Sequence, residues 1–274
     1  MELADIVPFL VLVLCGVGVG ALSGMFGIGG GTMIIPLLRL GLGLPVVSCT
    51  ATSLFTMVPT SISGAFTHIR RRTPVLKVGS VIGFGGLVCA PFGVLLGQHA
   101  PPFITICGVV VVIIYSALNM LGKRRAGSAE QREGASRQPV TGIYAERNTA
   151  KGKRLFHYIL LGGVAGVAAG FLGVGGGFLI VPVLSRLFGF AMKHATPTSL
   201  VAISLIALPT TVVNLVLGNV WILQGLALIL GTVPGARLGA WLATRLSDIQ
   251  LRYGFACLLL LSGVLLFMNE LLQV

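Results

Sequence analysis

Residues 24–36 read G-M-F-G-I-G-G-G-T-M-I-I-P, and residues 170–182 read G-F-L-G-V-G-G-G-F-L-I-V-P. One constant offset of 146 residues superimposes them, matching Gly24 with Gly170, Gly27 with Gly173, the run Gly29, Gly30, Gly31 with Gly175, Gly176, Gly177, and Pro36 with Pro182. The same offset carries Thr50, Thr52, Ser53 and Leu54 onto Thr196, Thr198, Ser199 and Leu200. The two halves are therefore copies of one unit. This predicts a single integral domain made of a first repeat at 1–121, a basic linker at 122–154 and a second repeat at 155–274.

What surrounds these stretches is apolar. The chain has 274 residues, 55% hydrophobic and only 9% charged, with a mean hydropathy of +0.99, where soluble proteins carry roughly 25% charged residues. Apolar segments recur at 6–26, 28–41, 48–68, 75–97 and 101–121, and again at 156–172, 176–190, 194–217, 220–243 and 249–272. Most have the length of about 20 residues that a helix needs to cross a hydrocarbon layer of roughly 30 Å. A barrel would alternate in segments of about 10 residues, and no such alternation is present. The fold class predicted is an all-α, polytopic membrane protein with 8–10 transmembrane helices. The second segment of each series is short: a helix of that size reaches only about 21 Å at ~1.5 Å per residue. Ten crossings, or eight crossings with two half-helix hairpins, both fit.

Charge orients the chain. The net charge is +12, and half of it lies between Gly122 and Arg154, where nine basic residues face three acidic ones. Most other basic residues sit in short breaks between apolar runs, as cytoplasmic loops do. With the linker in the cytoplasm, Arg70, Arg71, Arg72, Lys77, Arg186, Lys193, Arg245 and Arg252 fall on the same side, both termini fall outside, and only Arg39 is misplaced. An odd number of crossings per half makes the second repeat upside down relative to the first, the inverted-repeat plan of many secondary transporters. The lipid bilayer is the surrounding partner. No recognition motif accompanies the basic charge, so nucleic acid is excluded as a partner. Five scattered cysteines offer no metal or redox spacing, and no metal or cofactor is expected. The acidic N-terminus lacks the basic start of a cleaved signal peptide.

Three successive glycines do not serve helix stability, since each costs roughly 0.5–1 kcal/mol relative to Ala in a helix interior. The chain is expected to break there. Broken backbone within a membrane is tolerated where it is buried in protein or lines a watery cavity, and the next helix then presents unpaired N–H groups and a positive dipole end to a small anion. Two such ends are expected, at Gly29, Gly30, Gly31 and Thr32 and at Gly175, Gly176 and Gly177, facing one another. The competing reading is a close-packing surface of the G-x-x-x-G kind. Thr50, Thr52 and Ser53, with Thr196, Thr198 and Ser199, can either cap their helices or donate to an anion's oxygens. Arg237 is the one basic residue inside a second-half span; it can contact substrate or snorkel to the cytoplasmic edge. Asn214 reads as glue between helices, and His68 and His194 as interfacial loop residues.

All seven acidic residues lie in termini, linker or loop edges, which leaves no carboxylate for a proton or sodium relay inside the membrane. An anionic substrate fits better than a cation. H-E-x-x-H and other catalytic spacings are missing, so the chain is expected not to be an enzyme.

The duplicated G-x-x-G-x-G-G-G followed by Pro, the A-T-S-L and P-T-S-L continuations, the basic linker and G-A-R-L-G at 235–239 together resemble the sulfite exporter TauE/SafE family of membrane permeases. The resemblance implies a bacterial inner-membrane transporter that exports small sulfur-containing oxyanions such as sulfite or organosulfonates. Uptake of thiosulfate or another sulfur compound, or a scaffold that docks an enzyme complex through the linker, are the alternatives.

Overall fold

A computed structural model describes residues 3–70, 76–121 and 151–273 of the chain. Among these the chain forms ten helices: α1 (Leu3–Phe26), α2 (Gly31–Leu42), α3 (Val46–Arg70), α4 (Leu76–His99), α5 (Pro102–Leu121), α6 (Lys151–Leu172), α7 (Gly177–Arg186), α8 (Met192–Val216), α9 (Ile222–Arg245) and α10 (Asp248–Gln273). Each expected apolar segment is one helix. Most of the linker lies outside the described residues, and α6 begins inside the stretch assigned to it, at Lys151.

Length separates the helices into two kinds. Six, α1, α3, α4, α6, α8 and α9, are long and apolar enough to cross a membrane, and α5 and α10 have 20 and 26 residues. By contrast α2 has 12 residues and α7 has 10, about 18 and 15 Å of helix, well short of a hydrocarbon core of roughly 30 Å. Each of these two helices reaches only about half of that thickness by itself, as the short second segment of each series led one to expect.

The polarity of the bundle is that of a membrane protein. Phe84, Val88, Phe92 and Val111 are more than 60% exposed on its outside, while Thr52, Ser53, Thr56, Thr60, Thr210 and Thr232 are completely buried. In lipid there is no hydrophobic drive between helices, so close packing and hydrogen bonds hold them together. Small residues provide the closeness. Gly16, Gly20 and Gly24 of α1 pack against Gly231, Gly235 and Gly239 of α9, and at each of the six a methyl group would come within 3 Å of a carbonyl on the facing helix. At the 146-residue offset, Gly162, Gly166 and Gly170 of α6 press in the same way on α4.

The pairings exchange between halves. α1 packs on α9 as α6 packs on α4, α3 on α9 as α8 on α4, and α10 on α2 as α5 on α7, while α3 meets its counterpart α8 and α5 its counterpart α10. This pattern is consistent with two related units exchanged across a common centre, with α3 and α8 at the middle.

Candidate functional site

Both glycine stretches are breaks. Between α1 and α2, Gly27, Gly29 and Gly30 have φ of +74°, +85° and +94°; between α6 and α7, Gly173, Gly175 and Gly176 have +69°, +82° and +72°. A residue with a Cβ pays about 1–2 kcal/mol for such a conformation, which explains glycine at these positions. Gly30 and Gly176 are the left-handed N-caps of α2 and α7. The first backbone bonds of α2 run from Met33 and Ile34 N–H to Gly30 O, and those of α7 from Leu179 and Ile180 N–H to Gly176 O. The turns ahead of these bonds contribute N–H groups with no partner in their own helix.

The two breaks meet. A methyl on Gly31 would lie 2.9 Å from the Gly173 carbonyl oxygen and 2.9 Å from Val174 Cα, and one on Gly177 would lie 2.5 Å from Gly27 O and 2.9 Å from Ile28 Cα. The end of each loop therefore touches the start of the other, and the unwound segments cross antiparallel. Close packing by glycine is thus present both in the α1 and α6 stripes and in these loops.

Each loop is braced from the opposite half. Ser199 Oγ donates to Gly27 O at 2.7 Å and is within 2.8 Å of Thr196 O. Ser53 Oγ donates to Gly173 O at 2.6 Å and is within 2.8 Å of Thr50 O. The four residues of each bond pair are related by the same offset. Neither serine caps its own helix, because α3 starts at Val46 and α8 at Met192. Thr50 Oγ1 bonds Val47 O at 2.8 Å and Thr198 Oγ1 bonds His194 O at 2.6 Å. Thr52 Oγ1 accepts the Trp221 N–H at 3.1 Å, immediately ahead of α9. Of the expected donors, Thr32 and Thr196 have buried hydroxyls without a hydrogen-bond partner, as does Ser23, whose Cβ lies beside Gly30.

The space at the crossing is filled by two side chains not singled out in the sequence. Met57 of α3 reaches Gly31 and Gly175, and Ile203 of α8 reaches Gly29, Gly175 and Gly177. Both are fully buried, they belong to one apolar cluster with Leu54 and Ala207, and they too are 146 residues apart. Only that offset could have pointed to them, since an apolar residue in an apolar run carries no other mark.

Arg237 is placed elsewhere. Its Nε donates to Ser63 Oγ at 3.2 Å, and Ser63 Oγ donates to Val233 O at 2.9 Å. With the Thr60–Thr232 hydroxyl bond of 2.7 Å, these contacts form a polar seam between α3 and α9. His68 is not a loop residue: it lies in the last turns of α3, 2% exposed, with Nε2 3.3 Å from Gly24 O. His194 is in the first turn of α8. Among the described residues, those packed at the crossing offer hydroxyls, backbone N–H groups and helix ends, groups that act by dipoles and hydrogen bonds.

The comparisons with known proteins agree with this architecture. A family model described as "Sulfite exporter TauE/SafE" matches residues 12–266. The chain is 28% identical to the probable membrane transporter protein YunE of Bacillus subtilis over 85% of its length and 87% of that protein. It is 25% identical to the probable membrane transporter protein YdhB of the same organism, over 90% and 95% of the two chains. A probable membrane transporter protein of Methanocaldococcus jannaschii is 29% identical over 77% of this chain and 71% of its own. No solved structure matches the chain.

Proposed function

The chain belongs to the sulfite exporter TauE/SafE family, and from that premise we propose that it is a secondary transporter that exports a small sulfur-containing oxyanion such as sulfite or an organosulfonate. The observation that carries this reading is the crossing of the two glycine loops. There the two half-helix N-termini follow loops that cross, the hydroxyls of Thr32, at the start of α2, and of Thr196, whose backbone lies against Gly27, are buried without a partner, and the positive ends of helix dipoles favour a negative solute. Glycine, Thr50, Thr52, Ser53, Thr198 and Ser199 shape and hold that place, with the two serines fixing the loops. Arg237 acts from the α3–α9 seam.

In this structure Met57 and Ile203 close the crossing. An ion passes when the halves rock and draw these two side chains apart, exposing the loops to one side and then the other. Arg252 of α10 donates to Met120 O near the end of α5, where the 122–150 segment departs, Lys193 and Asp248 meet at the starts of α8 and α10, and Arg245 stacks on Trp241 at 3.8 Å at the end of α9, a basic and aromatic pairing typical of a membrane interface. That end is cytoplasmic, in the inner membrane of a bacterial cell, and the termini are outside. An inside-negative potential of 100 mV contributes about 2.3 kcal/mol toward the exit of a monovalent anion, so export needs no coupling ion.

The test is efflux from proteoliposomes loaded with radiolabelled sulfite, sulfoacetate or sulfate under an imposed potential. Protein-dependent efflux of at least one sulfur oxyanion, accelerated by an inside-negative potential, is expected. Rates equal to protein-free liposomes for all three contradict the reading, and transport only in the inward direction favours the uptake alternative.

A further inference from the structure

On the end of the bundle away from Leu121 and Lys151 there is a cavity of about 30 Å³, enough for about two water molecules. It lies between the first turn of α3, the last turns of α4 and α6, the start of α5 and the end of α8. Thr50, Gln98, Thr105 and Asn214 line it, and none of its lining residues is charged. Asn214 and Thr105 are 4% and 5% exposed, and Gln98 Nε2 is buried with no hydrogen-bond partner. Asn214 uses its amide nitrogen once, on Thr210 O at 2.9 Å, and an amide nitrogen has two protons to give. The floor is Gly170 and Phe171, immediately before the second glycine loop, and Thr50 itself presses on Gly173.

The offset shows that this place is not a general feature of the fold. Gly97, Thr105 and Asn214 correspond to Ala243, Leu251 and His68 on the linker end. There Leu251 is fully buried and Ala243 is 3% exposed, and His68 is turned to the Gly24 carbonyl. Gly97 and Thr105 on one end are thus replaced by the larger Ala243 and Leu251 on the other.

We propose that this vestibule is an outer binding station for the transported oxyanion, held by the Gln98 and Asn214 amides and the Thr105 hydroxyl and separated from the second glycine loop by Thr50 and Phe171. The inference rests on the transport reading. Amides and hydroxyls suit a way station because they replace part of an anion's hydration without a cation that would trap it, and conduction needs sites that an ion both enters and leaves. The ligand is small, since the cavity replaces only a few waters, and rich in oxygen acceptors, since the lining offers an unpartnered N–H donor.

The test compares right-side-out and inside-out membrane vesicles carrying wild type, Gln98→Leu or Asn214→Leu, with radiolabelled sulfite as the probe. Loss of one hydrogen bond predicts a half-saturation concentration about 3–10 times higher when sulfite is presented to the vestibule face, with the maximal rate there unchanged, whereas from the opposite face the constant stays and the maximal rate falls by the same factor, since passive transport keeps one ratio of the two in both directions. An unchanged constant on the vestibule face, or an equal rise of the constant on both faces, overturns the station. Wild-type vesicles that move no sulfite would instead count against the transport reading. The vestibule is then judged by equilibrium binding of sulfite to purified protein: Asn214→Leu weakens it about threefold or more if the station exists, and unchanged or absent binding overturns it.

Discussion

Ser53 and Ser199 show how much one hydroxyl can fix. Each reaches across from its own half to a carbonyl that a broken helix has left over, Gly173 O and Gly27 O. Replacing either by Ala leaves a buried carbonyl without that donor, at a cost of about 0.5–1.5 kcal/mol. Thermal unfolding in detergent should place Ser53→Ala and Ser199→Ala below wild type by similar amounts, since the two sites are equivalent; a loss at only one of them would deny the equivalence. The importance of these serines was legible in the sequence because Ser53 and Ser199 recur at one offset, but their role was not. A hydroxyl near a helix start caps, binds or braces according to where the chain's other half lies, and no local pattern records that. His68 was misjudged for the same reason: flanking arginines place it at an edge, while only the packing of α1 against α3 buries it.

At the scale of helices, the small-residue faces of α1 and α9 and of α6 and α4 set how near the backbones come. Gly20→Ala and Gly235→Ala each drive a methyl into a facing carbonyl and should destabilise by about 1–3 kcal/mol. Gly18→Ala, on the same helix with nothing within 4 Å of the added methyl, should be neutral or slightly stabilising in the same thermal assay. The fourfold spacing of Gly16, Gly20 and Gly24 was readable, and close packing extends from it into the neighbouring loops, where Gly31 and Gly177 each meet the opposite loop. That the second helix of each series is short was readable too, and α2 and α7 have 12 and 10 residues. Met57 of α3 and Ile203 of α8 are the elements' point of contact with the crossing. Truncating both to Ala should lower stability by about 2–5 kcal/mol per site and, in protein that still folds, open a leak for chloride. A chloride electrode on potassium-chloride-loaded proteoliposomes measures it; a folded variant as tight as wild type would show that these side chains are not the barrier.

Over the whole molecule, the multi-pass helical character and the 146-residue repeat were available from composition and one offset. They needed no tertiary information, since lipid forces long apolar helices. What could not be read was the antiparallel crossing of the loops, because it depends on the exchange of partners between halves, α1 onto α9 and α6 onto α4. The inverted arrangement predicts that single cysteines at Ser128 in the linker and near either terminus, in a background without the native five cysteines, react with an impermeant maleimide from opposite sides; labelling of all three from one side would exclude it. The account's central claim is that the crossing of the two glycine loops is the path of the anion. Gly29→Ala and Gly175→Ala test it most directly, since each adds a single methyl aimed at Ile203 and Met57 and leaves both vestibule and helix stripes untouched. Radiolabelled sulfite efflux from proteoliposomes is predicted to fall by about 1.4 kcal/mol or more of barrier, tenfold or greater, for each variant that remains monodisperse and folded; efflux at the wild-type rate from both would contradict the account.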